Sequence, residues 1–293
     1  MIKASVCIPS YNADKFIGQT IQSVLNSVYQ NFEIIVNDDA STDNTREVVE
    51  SFKDSRISFF QNEYNVGTVK NWNLAIKKST GEYTGLLNHD DLYGPLWLHV
   101  AVNQLDKQQH IGWAATAYRV IDAAGKTIKT MRRFSEAGEI SITDAFLNIA
   151  QLNGLGPGFI ARRTILEEVG FYDETTGPSA DNDLFLRLAV RYPLYYFGTY
   201  PHTAWRLHAA NLTHRWGPEE QTLESLKMLH KIFADTSTPS YLQQYRDACF
   251  NLFYLKAQHF AEAYRDRNDY DTYCRIMKIL GSNGYKGQFF TAE

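Results

Sequence analysis

The chain has 293 residues, 44% of them hydrophobic and 21% charged, with a net charge of −4. That is the composition of a globular protein with a core of substantial size, and the mild acidity excludes the basic field that gathers nucleic acid or anionic lipid. No apolar run reaches the roughly 18 to 20 residues of a membrane span, and the three cysteines, Cys7, Cys249 and Cys274, are too scattered for a disulfide framework or a zinc site.

The opening, MIKASVCIPSYN, has too short an apolar run for a signal peptide and reads directly as a strand, so a cytoplasmic setting is expected. A helix follows over 14–28, with Phe16, Ile17, Ile21, Val24, Leu25 and Val28 at helical spacing. FEIIVNDD is a second strand, ending in acids. STDNTREVVESF begins with capping residues and continues as a helix. RISFFQN is a third strand, TVKNWNLAIKKS a helix, and GEYTGLLNHDD a fourth strand. Strands alternating with helices predict right-handed βαβ units on a mainly parallel sheet. In such sheets the ligand crevice lies beyond the carboxyl ends of the strands. Four polar strand ends, PSYN, NDDAS, QNEYNVG and NHDD, would then converge on one edge.

A helix over about 96–106 comes next. GWAATAYRVID and KTIKTMRRF read as strand-like runs joined by a hairpin turn at AAGK. SITDAFLNIA is a capped helix, and GPGFIARRTILEEVGFYDE a Gly-rich loop, a strand and a helix. ADNDLFLRLAVRY is an amphipathic helix, and LYYFGTY and HTAWRLH are strands. Beyond Pro218 the chain reads as helical to about Leu280, in three apolar stripes.

Chemistry concentrates in NHDD. Adjacent carboxylates at the end of a buried strand require solvent or a cation. Hard oxygen ligands of this kind suit Mg²⁺ or Mn²⁺, ions that also bridge diphosphate oxygens. The plain alternative is a solvated acidic turn, or Asp91 capping the next helix.

Taken together, VCIPSYN, IIVNDDASTDNT, NVGTVKNWNLAIKKSTGEYTGLLNHDD, GFIARRTILEEVGFYDE and DNDLFLRL resemble the family-2 inverting glycosyltransferases, over about residues 3–210. The resemblance implies a GT-A fold: an α/β, Rossmann-like, mixed but mainly parallel sheet flanked by helices, here with a helical C-terminal extension. It divides the chain into a catalytic domain over 1–217, whose nucleotide-sugar-binding half is about 1–95 and acceptor half about 96–217, and an extension over 218–293. By the same resemblance, Pro9, Ser10, Tyr11 and Asn12 hold the nucleobase and ribose, and Asp39 contacts the base, which favours a UDP or dTDP sugar. Asn65, Gly67 and Lys70 flank the base. Asp91 is the implied metal ligand, with Mn²⁺ or Mg²⁺ as cofactor, and Asp90 the ribose contact. Asp181 is the implied base, with Asp183 as its rival, and Arg187 a salt-bridge partner. Arg206 is assigned to the donor phosphates and His208 to the metal, while Gly154–Phe159 lies beneath the sugars. The implied partners are a nucleotide-sugar donor and a saccharide or lipid-linked saccharide acceptor, in bacterial surface polysaccharide synthesis. The tail is compatible with a homodimer or with peripheral membrane contact.

The chain departs from the common motifs at Asn88 and Ala180, where many relatives carry acids. These departures admit a second reading, an inactive nucleotide-sugar-binding module of the same fold. A nucleotidyltransferase is disfavoured, because PSYNADKF lacks the Gly cluster of that class and has only Lys15 as a cation.

Overall fold

The computed structural model of the chain describes residues 2–151, 154–209, 211 and 217–285. Strand β1 (Ala4–Ser10) is buried along its length, between β2 (Phe32–Asp38) and β4 (Tyr83–Leu86), parallel to both. β3 (Ile57–Gln61) extends the parallel set beyond β2. A strand covered on both faces requires apolar side chains on both. Val6 and Ile8 turn into one core layer with Ile17 and Ile21 of α1 (Ile17–Leu25). Cys7 turns into the other, with Val69 and Ile76 of α3 (Thr68–Lys77). The helix α2 (Thr45–Ser51) packs against α1.

The second half of the large sheet is mixed. β10 (Ile160–Arg162) runs antiparallel between β4 and β6 (Trp113–Thr116). β11 (Leu194–Phe197) is parallel to β6, and β9 (Gly138–Ile140) closes the edge antiparallel to β11. A four-stranded sheet stands beside it: β5 (Leu92–Tyr93), β12 (Thr203–Arg206), β7 (Tyr118–Ile121) and β8 (Thr127–Met131), in that order.

Read as one run, GWAATAYRVID is split between the two sheets at Ala117. The Ala117 N–H donates to the Phe197 carbonyl at 2.9 Å, and the Thr116 hydroxyl donates to the Ala117 and Phe197 carbonyls. Those groups leave the ladder, so the strand changes sheet. The sequence reading also missed β5 and β9, which are too short for a period-2 pattern to register.

The remaining helices of the body are α4 (Trp97–Lys107), α5 (Ile142–Ala150), α6 (Arg163–Val169) and α7 (Ala180–Ala189), the last entered through a 3-10 turn at Gly177–Ser179. After them come α8 (Pro218–Ala234), α9 (Ser240–Gln243), α10 (Arg246–Arg265) and α11 (Tyr270–Ser282). Leu226, Leu229, Phe233, Phe253 and Ile276 of these helices share one core with Phe146, Leu184 and Leu188 of the body. Among the described residues, no helix is long and apolar enough to cross a membrane.

Candidate active site

The carboxyl ends of β1, β2 and β3 are knotted together by Asp38. Its fully buried carboxylate accepts from the Ser10 hydroxyl (2.9 Å), the Ser41 N–H (2.8 Å), the Ser41 hydroxyl (2.5 Å) and Gln61 Nε2 (3.0 Å). Asn12, at φ 48°, accepts from the Thr42 N–H through Oδ1 at 2.9 Å and donates its own N–H to the Ser41 hydroxyl at 2.8 Å. The Pro9–Asn12 loop is therefore held rigidly, with Pro9 and Ser10 buried and Tyr11 half-buried at the rim.

Asp39 is buried and turned to the next loop. It accepts from Asn62 Nδ2 (2.8 Å), the Val66 N–H (2.8 Å) and the Gly67 N–H (3.0 Å). Three of the roughly four acceptor positions of a carboxylate are thus used within the protein. Asp39 joins Gly67 and Asn65, as their expected grouping requires, but as the anchor of the 62–67 loop. Asn65 and Lys70 are exposed beside it. Behind the loop, Asn37 donates to Asn71 (2.6 Å), Asn62 donates to the same oxygen (3.1 Å), and Asn71 donates to the Asn37 carbonyl (3.0 Å). Sequence reasoning missed this amide cluster, because three separated asparagines carry no periodic signal.

The NHDD turn is built around two buried charged residues, Asp91 and Arg206. Asp91, the expected metal ligand, is fully buried. Its Oδ1 accepts from the Arg206 N–H at 2.9 Å and its Oδ2 from Asn88 Nδ2 at 3.4 Å. Burial first, and then the adjacent Asp90 charge, push its carboxyl well above the usual carboxylate range. Arg206, expected at the donor phosphates, is also fully buried. Its guanidinium is spent on the Asp90 carbonyl (2.8 Å), the Ala123 carbonyl (3.1 Å) and Gln19 Oε1 (2.9 Å), over the Phe16 ring. Both residues hold the turn in place, because buried charges persist only where their polar atoms are matched.

Asp90 instead faces His208. Asp90 Oδ2 lies 2.9 Å from His208 Nε2 and accepts from Asn211 Nδ2 at 3.2 Å. Asn211 in turn accepts the His208 N–H at 2.5 Å, and the His208 ring packs 4.7 Å from that of Phe16. Asn211 escaped the sequence reading, and its spacing three residues after His208 was the available signal. His89, read as structural, contacts the Pro9 carbonyl at 3.3 Å through Nδ1.

Helix α7 carries two acids in opposite surroundings. Asp183 is buried and neutralised: Arg187 Nε donates to it at 2.8 Å, and Lys231 Nζ at 2.9 Å. Asp181 is half-buried and has no cation within ion-pair distance among the described residues. Its Oδ1 accepts from the Asn182 N–H at 2.8 Å, and desolvation raises its carboxyl above the ordinary value. The Tyr118 hydroxyl is raised first by burial, opposed by Arg133, with smaller raising effects from the charges of Asp91 and Asp181. The Gly154–Phe159 loop lies against its ring. A Cβ on Gly156, at φ +75°, would sit 2.4 Å from Tyr118 Cε1, and one on Gly158, at φ +112°, 2.4 Å from Thr203 Cγ2. Only glycine lets the backbone pass so close.

Residues 5–170 match the family model for glycosyl transferase family 2. A UDP-Glc:α-D-GlcNAc-diphosphoundecaprenol β-1,3-glucosyltransferase of Escherichia coli, WfgD, is 37% identical over 118 residues, which is 40% of this chain and 46% of that protein. An uncharacterized glycosyltransferase of Rickettsia typhi is 27% identical over 288 residues, 93% of this chain and 88% of that one. The chain spans between 20% and 46% of the length of the first three curated relatives it matches. Among solved structures, S. aureus TarS 1–349 in complex with UDP-GlcNAc superimposes with a TM-score of 0.69 at 18% identity, covering 97% of this chain and 93% of that one. The mannosyltransferase PcManGT of Pyrobaculum calidifontis, in complex with GDP-Man and Mn²⁺, gives 0.62 at 17% identity, over 98% and 76%. These two share the fold, the mixed α/β sheet flanked by helices that was expected as GT-A. With more than half of its length matched in order by the family model, the chain belongs to glycosyl transferase family 2.

Proposed function

We propose that the chain transfers a glycosyl group from a nucleoside diphosphate sugar to an acceptor hydroxyl, inverting the anomeric carbon with the help of a divalent ion. The observation that carries this reading is the contrast on α7: Asp183 is ion-paired on both oxygens, while Asp181, two residues earlier, has no ion-pair partner among the described residues. An inverting transfer needs one base. Asp181 accepts the proton of the acceptor hydroxyl as its oxygen attacks. The bond from the anomeric carbon to the diphosphate breaks, and that group leaves from the opposite face. Partial desolvation raises the basicity of Asp181 without a counter-ion to quench it.

Asp90 and His208 would hold the ion. Asp90 Oδ2 and His208 Nε2, now 2.9 Å apart in a hydrogen bond, would supply one oxygen and one nitrogen ligand to it. The nitrogen donor favours Mn²⁺ over the harder Mg²⁺. When bound, the ion neutralises charge on the departing diphosphate. The Pro9–Asn12 loop and the Asn65–Lys70 segment bracket the nucleoside, and a uridine or thymidine diphosphate is the favoured donor. The support is the UDP-sugar in the name of WfgD and beside TarS. The name of the same E. coli relative supports a saccharide on a lipid diphosphate as acceptor, hence surface polysaccharide synthesis at the cytoplasmic side, with peripheral membrane contact. Residues 1–217 would supply the catalytic domain and 218–293 its extension.

A binding-only module finds less support. Asn88 donates to the buried Asp91, where a third carboxylate would repel it, and Ala180 is 1% exposed in the core. The test is incubation with UDP-glucose or UDP-GlcNAc, Mn²⁺ and a GlcNAc-diphospholipid acceptor, following UDP release and the anomeric configuration of the product. Release that Asp181→Asn abolishes, with a β-linked product, supports the reading. Tight UDP binding without release under either metal would sink it.

A further inference from the structure

Trp205 is a tryptophan without a ring partner. Among the described residues, Trp72 packs edge-on to Tyr172 with centroids 4.9 Å apart, Trp97 lies among Tyr93, Phe197 and His202, and Trp113 stacks on Phe185 at 5.8 Å. Trp205 is half-buried, has no ring contact among those residues, and leaves its indole N–H open to solvent. Strand β12 fixes what lies on either side of it. Thr203, two residues earlier, is on the same face, because strand side chains alternate. Thr203 donates to the Pro157 carbonyl at 2.5 Å and takes the close approach of Gly158. Tyr118, its partner in the ladder, takes that of Gly156. The other end of the glycine loop reaches α7: a Cβ on Gly154 would sit 3.9 Å from Oδ1 of Asn182, the neighbour of Asp181. In the opposite direction the chain passes Arg206, whose N–H is held by Asp91, and arrives at His208, which meets Asp90. At a rise of about 3.3 Å per residue, Trp205 stands about 7 Å from Thr203 along the strand. Three residues of chain keep it within about 11 Å of His208. Trp205 is therefore placed between the glycine loop and the Asp90–His208 pair.

We propose that Trp205 is a stacking platform for the pyranose ring of the sugar being transferred. The inference rests on the glycosyl-transfer reading, which puts the diphosphate at Asp90 and His208 and the base at Asp181. The ring joined to that diphosphate then lies between the two, over the strand and the loop just described. A pyranose carries hydroxyls at its rim and C–H bonds on its faces. An indole meets such a face with a broad apolar surface and still offers one N–H to a hydroxyl. The glycines at 156 and 158 leave room for the ring, since they bring backbone and no side chain to the loop.

The test compares UDP with UDP-glucose and UDP-GlcNAc, each titrated by calorimetry into the full chain with Mn²⁺ and no acceptor. Wild type binds one of the sugar nucleotides more tightly than UDP. Trp205→Leu weakens that sugar nucleotide by about tenfold, the worth of one stacking contact, and leaves UDP unchanged. Trp205→Phe, which keeps a ring, recovers most of the loss. Where Trp205→Leu does not fold, indole fluorescence gives a second reading. The sugar nucleotide shifts the wild-type emission beyond the shift from UDP, and Trp205→Phe lacks the difference. Sugar-nucleotide affinity that is equal in wild type and Trp205→Leu overturns the platform, and so does an equal loss for UDP and the sugar nucleotide, which marks a structural role. Both results leave the transfer reading standing. A folded wild type that binds neither UDP nor a sugar nucleotide overturns that reading and the platform with it.

Discussion

The backbone N–H of Arg206 donates to Asp91 Oδ1 at 2.9 Å, across 115 residues, and so fastens the last strand of the small sheet to the turn after β4. Asp91→Ala leaves that buried N–H unsatisfied, and the expected cost is about 1–3 kcal/mol of stability. Chemical denaturation of the two proteins without nucleotide or metal measures it. An unchanged midpoint would show that the bond does not hold the turn.

Asp90→Asn has a different signature. Its neighbours His208 and Asn211 can still bond an amide, so the unfolding temperature of the protein alone should move little. What is lost is stabilisation by UDP with Mn²⁺, since a ligand raises stability only through its affinity for the native state. A thermal-shift panel of UDP, dTDP, GDP and CMP, each with and without Mn²⁺, on wild type, Asp90→Asn and His208→Ala reads this directly. A full metal-dependent shift in Asp90→Asn would remove Asp90 from the metal site.

On α7, Asp181→Asn should lower kcat by about 10²–10⁴-fold, the usual worth of a general base. Asp183→Asn should instead act on stability, because it leaves Arg187 and Lys231 without a full counter-charge in a buried setting. Single-turnover rates beside denaturation curves separate the two. Equal rate losses would make Asp183 part of the chemistry.

The pH dependence carries a definite sign. The raised carboxyl of Asp181 must lose its proton to act, so the acid limb of kcat should lie above the ordinary carboxylate range. For stability the folded pKa exceeds the unfolded one. The contribution is present below the unfolded value and is lost as pH rises through the folded one. Asp181→Asn should therefore stabilise the protein at neutral pH, by about 1 kcal/mol, as removal of functional strain often does. A neutral-pH unfolding midpoint that falls in this variant contradicts the assignment.

Gly156→Ala forces a methyl group to within 2.4 Å of the Tyr118 ring at a φ of +75°. The expected loss is about 1–3 kcal/mol, with a raised KM for acceptor and an unchanged KM for donor. A matching rise in donor KM would place the loop elsewhere in the reaction.

What the sequence determined by itself was local. The strand and helix order of the first 107 residues apart from β5, the Ser141 cap of α5, the hairpin at AAGK and the helical run beyond Pro218 all follow from periodicity and turn chemistry, which operate over a few residues. So did the gathering of polar loops at one sheet edge, which parallel topology requires. Which acid does what was decided only in three dimensions. Asp90 and Asp91 are adjacent and chemically alike, and they differ because Arg206 buries one while His208 and Asn211 meet the other. Asp181 and Asp183 stand two residues apart on one helix, and they differ because Lys231 arrives from α8 to neutralise the second. A carboxylate's role depends on its desolvation and its counter-charges, and both are supplied by residues tens to more than a hundred positions away.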